Sequence, residues 1–273
     1  MTDDQPDPGQ PDRDELAPED RRRIREYLTG PLGDEIASTL PTFMGADTTA
    51  PSVRRCLEQF IATAIRFARL ERLFQGDVIF SLPAQQIVLD RELSGEPAAD
   101  GAMVAEHQRD LWQLDLAPVE NLSEILDSQG IKVISKPGPF AAVGSMFSSE
   151  TGPAILLTQP ADSPEGRAAL SHAYGHLVID IDPYRNRFCP LGTGVRGSAE
   201  EIRAEAFAAA LLLPRTALPL DAEPDGPEVE RLSAAYQLPR EVARQRILEL
   251  TDPDATHVES RDIPVDADWT PPL

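Results

Sequence analysis

Apolar residues recur at helical spacing along most of the chain, and one central interval replaces that pattern with short strand-like runs. From Pro18 to about Leu28 the spacing is helical, with acidic residues at its start and Arg21, Arg22 and Arg23 behind them. Val53, Cys56, Leu57, Phe60, Ala64, Phe67, Ala68 and Phe74 predict a long helix over Ser52–Gln75, stopped by Gly76. A connector mixed in Pro, Gly and Asp follows from Ser81 to Gly101. A further helix is expected around Met103–Leu111, where His107 and Trp112 read as packing or solvated side chains. Pro118 opens the next, with Val119, Leu122, Ile125 and Leu126 on one face and Gly130 as its C-terminal stop. The runs IKVIS, AAVGSMF and AILLT then predict a small antiparallel sheet, the last two joined by the turn-like SSETGP. With helices on one face of that sheet the fold class is α+β. Ser163 and Pro164 supply the N-cap and first position of a helix through GRAALSHAYGHLVID, and SAEEIRAEAFAAALLLP predicts another.

Composition narrows the picture. Hydrophobic residues make up 41% of 273 positions, enough for one good core, and no internal repeat is visible. The 46 acidic against 25 basic residues give a formal charge of -21, which repels phosphate backbones and anionic lipid, so neither nucleic acid nor membrane is an expected partner. Much of that charge sits in the Pro- and Asp-rich ends, residues 1–17 and 251–273, which are too poor in apolar residues to order themselves and are expected to be disordered. Between them lie a helical N-terminal region, residues 18–110, and a second domain, residues 111–250. Cys56 and Cys189 stand far apart and outside any CxxC pattern, which argues against a disulfide framework or a thiolate metal site and fits a reducing cytoplasm. No run reaches the roughly 18 apolar residues of a membrane span, and the acidic N-terminus has no signal-like apolar stretch.

His172 and His176 are four residues apart on one predicted helix, so both imidazoles project from the same face, one turn above the other. Two such nitrogens can reach one Zn²⁺ at about 2.0–2.1 Å, leaving room for a third ligand and a water. Glu201 and Glu205 share a face of the later helix, opposite the apolar side of Phe207 and Leu211. Glu201 has a second reading, because Ser198 with Glu at the third helical position is a capping box that needs no metal. Asp180, one turn beyond His176, is either a carboxylate that orients an imidazole or a solvated residue near a helix end.

The strings PVENLSEILDSQGIKVI, GPAILLTQ, ALSHAYGHLVI and EEIRAEAFAAALLLP arrive in the order and rough spacing of the ImmA/IrrE metallopeptidase family, which the chain resembles over about half its length. The terminal PEVERLSAAYQLPREVARQRILEL looks like that family's closing helix-turn-helix-like segment. Residues before about Leu111 lie outside the likeness. The resemblance implies a zincin-like metallopeptidase core over residues 111–250, with additional N-terminal helices and Zn²⁺ held by His172, His176 and Glu201.

Three departures accompany it. The Asn of the family's later helix is Glu205 here, an added carboxylate close to the site that leaves Glu200 and Glu205 beside Glu201 as alternatives for the third ligand, and the Met before the closing Pro is Leu213. The position after the first His, which in the family holds the Glu that moves a proton from zinc-bound water to the leaving amine, is Ala173. A methyl group moves no protons, and a positioned general base is worth about 10²–10⁴-fold. Ala173 is either native, making a pseudo-enzyme that binds through the same groove, or a substitution that disables an active peptidase. Glu205 and Tyr174 are the side chains near enough in sequence to be asked about rescue.

Family members are cytoplasmic regulators that cut helix-turn-helix repressors or antitoxins, so the resemblance implies a regulatory zinc endopeptidase with a protein substrate, impaired by Ala173. AILLT is the expected edge strand for an extended peptide. Arg231, Arg240, Arg244 and Arg246 could form a basic patch, but Glu228, Glu230, Glu241 and Glu249 share the stretch, which reads better as a packing helix than as a DNA contact.

Overall fold

A computed structural model describes residues 18–32, 51–75, 93–136, 143–148, 151–180, 187–190, 198–219 and 221–251. The expected disordered tails, apart from Thr251, and most of the expected connector lie outside the described residues. Eight α-helices are present among the described residues: α1 Pro18–Thr29, α2 Pro51–Gln75, α3 Pro97–Leu111, α4 Leu122–Ser128, α5 Pro164–Gly175, α6 Ala199–Leu212, α7 Pro227–Tyr236 and α8 Arg240–Thr251. The strands are β1 Lys132–Ser135, β2 Val143–Ser148, β3 Gly152–Leu157 and β4 Arg187–Pro190. No described helix is long and apolar enough to cross a membrane.

The sheet corrects the expectation of a purely antiparallel arrangement. Its order is β1-β3-β2-β4, with β1 parallel to β3, and β2 antiparallel to both β3 and β4. β2 and β3 form a hairpin in which Ser148 pairs with Gly152, whose φ of +69° suits a residue without a Cβ. The chain passes from β1 beyond β3's place to β2 and then returns, so β3 enters the gap and runs in β1's direction.

The GPAILL run is buried at every position, which marks a central strand covered on both faces rather than an edge. AILLT is therefore not the free edge expected of it; among the described residues the edges are β1 and β4, a strand the hydrophobic pattern does not predict, whose last residue, Pro190, has no N–H to leave unpaired.

Helices also cover both faces rather than one. Ala154 and Leu156 face Leu57, Phe60, Ile61 and Ala64 of α2. Ile155 and Leu157, alternating with them, join Leu170, Ala173, Tyr174, Phe207 and Leu211 in the main core. Burying each large apolar side chain contributes about 1.5–3 kcal/mol relative to exposure. Phe67 and Phe74, counted with the apolar face of α2, are instead exposed, while Ile61 and Ile65 are buried.

The expected helix at 103 begins six residues earlier, at Pro97, and the one expected from Pro118 begins at Leu122 because Asn121 takes a left-handed conformation (φ 49°). Gly130 closes it with φ +78°. Trp112 stacks on Tyr174 at 5.8 Å, as a packing residue should.

Helix α6 is the hub. Its approach to α3 is so close that a Cβ on Gly101 would lie 2.1 Å from the Arg203 carbonyl, and Gly175 of α5 leaves the same kind of room for the Phe207 ring. Arg109 of α3 donates to the Leu211 carbonyl (2.6 Å) and to those of Asp115 and Ala117 (both 2.7 Å), satisfying main-chain acceptors that a helix end would otherwise strand. Leu212 and Leu213 pass into a separate cluster with Val229, Leu232, Tyr236, Ala243 and Ile247, so α7 and α8 pack on the end of α6.

Candidate metal centre

Ser163 caps α5 by accepting the Gly166 N–H at 3.0 Å, and the helix then carries His172 into the interior. After Gly175 the backbone changes to a single π-helical turn, His176–Asp180. Such turns are uncommon and concentrate at functional sites because the extra residue re-aims the side chains around it. Opposite, Ser198 caps α6 by accepting the Glu201 N–H at 3.3 Å. The capping reading of this Ser-Glu pair thus holds for the hydroxyl. The Glu201 carboxylate, however, turns to the histidines, with Oε2 3.4 Å from His172 Nε2 and Oε1 3.6 Å from His176 Nε2.

The two Nε2 atoms are 3.0 Å apart. One ligand atom from each of His172, His176 and Glu201 lies within 4.8 Å of the others, and these three form a possible metal-binding group. Donors about 2.0–2.1 Å from one tetrahedral ion would stand roughly 3.3–3.4 Å from each other, so the observed separations fit a shared cation. The donor set among the described residues, two imidazoles and one carboxylate, is also that of a catalytic rather than a closed structural site.

The electrostatics agree. Burial pulls the His172 pKa down, only partly offset by Glu201, so this imidazole stays neutral and able to donate a lone pair. Burial opposes charge at His176 too, but hydrogen bonds to Asp180 and Glu201 outweigh it and hold the pKa up at about 9. Glu201 is pushed upward by burial and, more strongly, downward by both histidines, to about 2. The carboxylate is therefore ionised at neutral pH, and a proton on His176 occupies the cluster that a metal would claim.

Asp180 is an orienting residue, not a solvated one. Its side chain is 2% exposed, Oδ2 is 2.9 Å from His176 Nδ1, and Oδ1 accepts from Arg203 Nε at 2.9 Å. Accepting at Nδ1 leaves His176 Nε2 free to face the cluster. Arg203 was not apparent from the sequence, because i,i+2 spacing from Glu201 does not place it on the same helix face. Glu205 lies close enough to act on the His172 charge but is outside the three-residue group.

Tyr174 is corrected. Two residues from His172 it faces the other way, with its ring against Trp112 and Phe207 and its hydroxyl donating to Gln129 Oε1 at 3.3 Å, and burial raises its pKa further. Ala173 is 1% exposed and belongs to the main core.

Residues 126–248 match the family model of Peptidase_M78, the IrrE N-terminal-like domain. This chain carries an IrrE-like domain. The family is of the metallopeptidase type, and the match takes in every residue of the cluster together with Asp180 and Arg203. No curated protein matches the chain. In the IrrE-like domain the closing α7–α8 pair does not present free arginines: Arg231 pairs with Glu228, Arg240 with Glu230, Arg244 with Asp225 and Glu241, and the buried Arg246 with Glu249.

Proposed function

We propose that this protein is a cytoplasmic, zinc-dependent endopeptidase of regulatory type whose substrate is a helix-turn-helix repressor or an antitoxin, and whose turnover is impaired by Ala173. The observation that carries the reading is the convergence of His172, His176 and Glu201, with one ligand atom of each within 4.8 Å of the rest. Zinc bound there would polarise a scissile carbonyl and bring the pKa of its water towards about 7. The chain's own residues do the remainder: Glu201 supplies negative charge, Asp180 orients His176, and neither Ala173 nor Tyr174 can move a proton at the metal. Loss of the general base lowers the rate by about 10²–10⁴-fold. An extended substrate would add to the sheet at β4, an edge strand among the described residues, beside β2, which packs against α5. The paired arginines of α7 and α8 favour a protein substrate over nucleic acid.

The burial of Ala173 favours a second reading, in which the groove captures a partner without cutting it. At 1% exposure its methyl is packed as a core residue. Ala173→Glu separates the two when it is loaded with zinc and incubated with candidate repressors. Cleavage that appears with Glu and disappears with a chelator supports the peptidase. Inertness with zinc retained supports the binding module.

A further inference from the structure

We propose that Arg203 is a positioning residue for the metal centre, through which α6 sets both nitrogens of His176. The inference rests on the reading that the His172, His176 and Glu201 cluster takes a divalent metal. Glu201 and Arg203 stand two residues apart on α6 and reach opposite sides of one imidazole. Glu201 Oε1 lies 3.6 Å from Nε2, while Arg203 acts on Nδ1 through Asp180. Asp180 divides its two oxygens: Oδ2 takes His176 Nδ1 at 2.9 Å, and Oδ1 takes Arg203 Nε at 2.9 Å and its terminal nitrogen at 2.8 Å.

The carboxylate is 2% exposed, and the planar guanidinium, with two nitrogens on Oδ1, holds it at a fixed angle and offsets its charge. Held in that orientation, Asp180 accepts the His176 Nδ1–H and turns Nε2 with its lone pair towards the cluster, the arrangement a metal needs. Arg203 is itself fixed from behind. Gly101 of α3 abuts its carbonyl so closely that a Cβ there would come within 2.1 Å. Helix α3 lies outside residues 126–248, so the region upstream of the IrrE-like domain helps hold the metal centre in register.

The test is the zinc dissociation constant at pH 7 of the full chain, by competition with a chromophoric chelator, for wild type, Arg203→Met, Arg203→Lys and Asp180→Asn. Each metal-free protein is melted alongside, and ¹⁵N spectra of labelled histidine report the tautomer. We expect zinc to bind Arg203→Met about 10–100-fold more weakly than wild type. Arg203→Lys should fall between them, because an ammonium keeps the charge but not the fork. Recorded without metal above pH 9, where the His176 ring is neutral, the single Nδ1–H form should give way to a tautomer mixture in the Met variant. Unchanged zinc affinity in a folded Met variant overturns the proposal; if that variant fails to fold, unchanged affinity in Asp180→Asn does so. Absence of zinc binding by wild type overturns the metal reading itself, a separate result.

Discussion

Ser198 Oγ accepts the Glu201 N–H at 3.3 Å, so the hydroxyl satisfies the start of α6 and the carboxylate is left to the histidines. The two roles of Glu201, cap residue and ligand, therefore separate by substitution. Glu201→Ala and Glu201→Gln both keep the backbone N–H that Ser198 caps. Both should fold and both should lose zinc, as should His172→Ala. Elemental analysis of the purified chain is expected to give about one zinc per wild-type protein and close to none in these variants. Ser198→Ala should do the reverse, costing about 0.5–2 kcal/mol of stability while retaining the metal. Equal zinc in wild type and Glu201→Ala would remove Glu201 from the site.

The metal-free cluster should make stability depend on pH with a definite sign. His176 has a folded pKa raised to about 9 from an ordinary 6.5, so the stability it contributes is fully present below 6.5 and is lost as pH rises through about 9. Glu201, lowered from 4.5 to about 2, contributes stability present above 4.5 and lost as pH falls through about 2. Melting of the chelator-treated protein should therefore decline between pH 6.5 and 9. Asp180→Asn should flatten that decline, because it removes the charged partner that holds the His176 proton. A melting temperature that rises across this interval in the wild type would contradict the assignment.

Much of the site was legible because a helix fixes what its own neighbours share. The i,i+4 spacing of His172 and His176 and the reach to Asp180 need only one stretch of chain. Among partners contributed by another element, Glu201 was legible only through the family resemblance, and the rest were not. Arg203 reads as an unremarkable helix charge until α6 is laid against the π-turn, and Tyr174 reads as a neighbour of the metal until its ring is placed between Trp112 and Phe207. The sheet failed for the same reason. Strand periodicity reports which faces are buried, but whether β1 runs with or against β3 depends on where β3 is inserted, a property of the whole layer. The unbroken apolar run GPAILL did contain the hint that β3 is central, and it also foretold the second covering helix, α2.

Restoring the general base should carry a structural cost. Ala173 is 1% exposed within the main core, and overpacking a filled position costs about 1–3 kcal/mol. Ala173→Glu is expected to melt at a lower temperature than wild type in the metal-free form and to recover part of the loss when zinc is added, since the carboxylate can then turn towards the metal's water. A differential scanning measurement with and without zinc decides this. Equal destabilisation in both forms would mean that the new side chain never reaches the metal.

Gly101 offers a test of the α3–α6 contact that leaves the cluster's own side chains untouched. A Cβ there would sit 2.1 Å from the Arg203 carbonyl and 3.0 Å from the Phe207 nitrogen, and both atoms are backbone. No side-chain rotation relieves such a clash, so α6 or α3 must move. Alanine gains up to about 1 kcal/mol of helix propensity over glycine, which offsets only part of an overpacking cost at the upper end of about 1–3 kcal/mol. Gly101→Ala should therefore destabilise the protein despite the better helix former, and it should weaken zinc binding, because the displaced stretch of α6 carries Arg203 and lies two residues from Glu201. Gly95→Ala is the contrasting variant: a Cβ there meets no atom within 4 Å, and its φ of +88° strains the loop alone. It should lower stability without changing zinc affinity. Zinc binding lost equally in both would trace the effect to general destabilisation, whereas loss confined to Gly101→Ala would locate it in the contact between the upstream helix and the metal-bearing one.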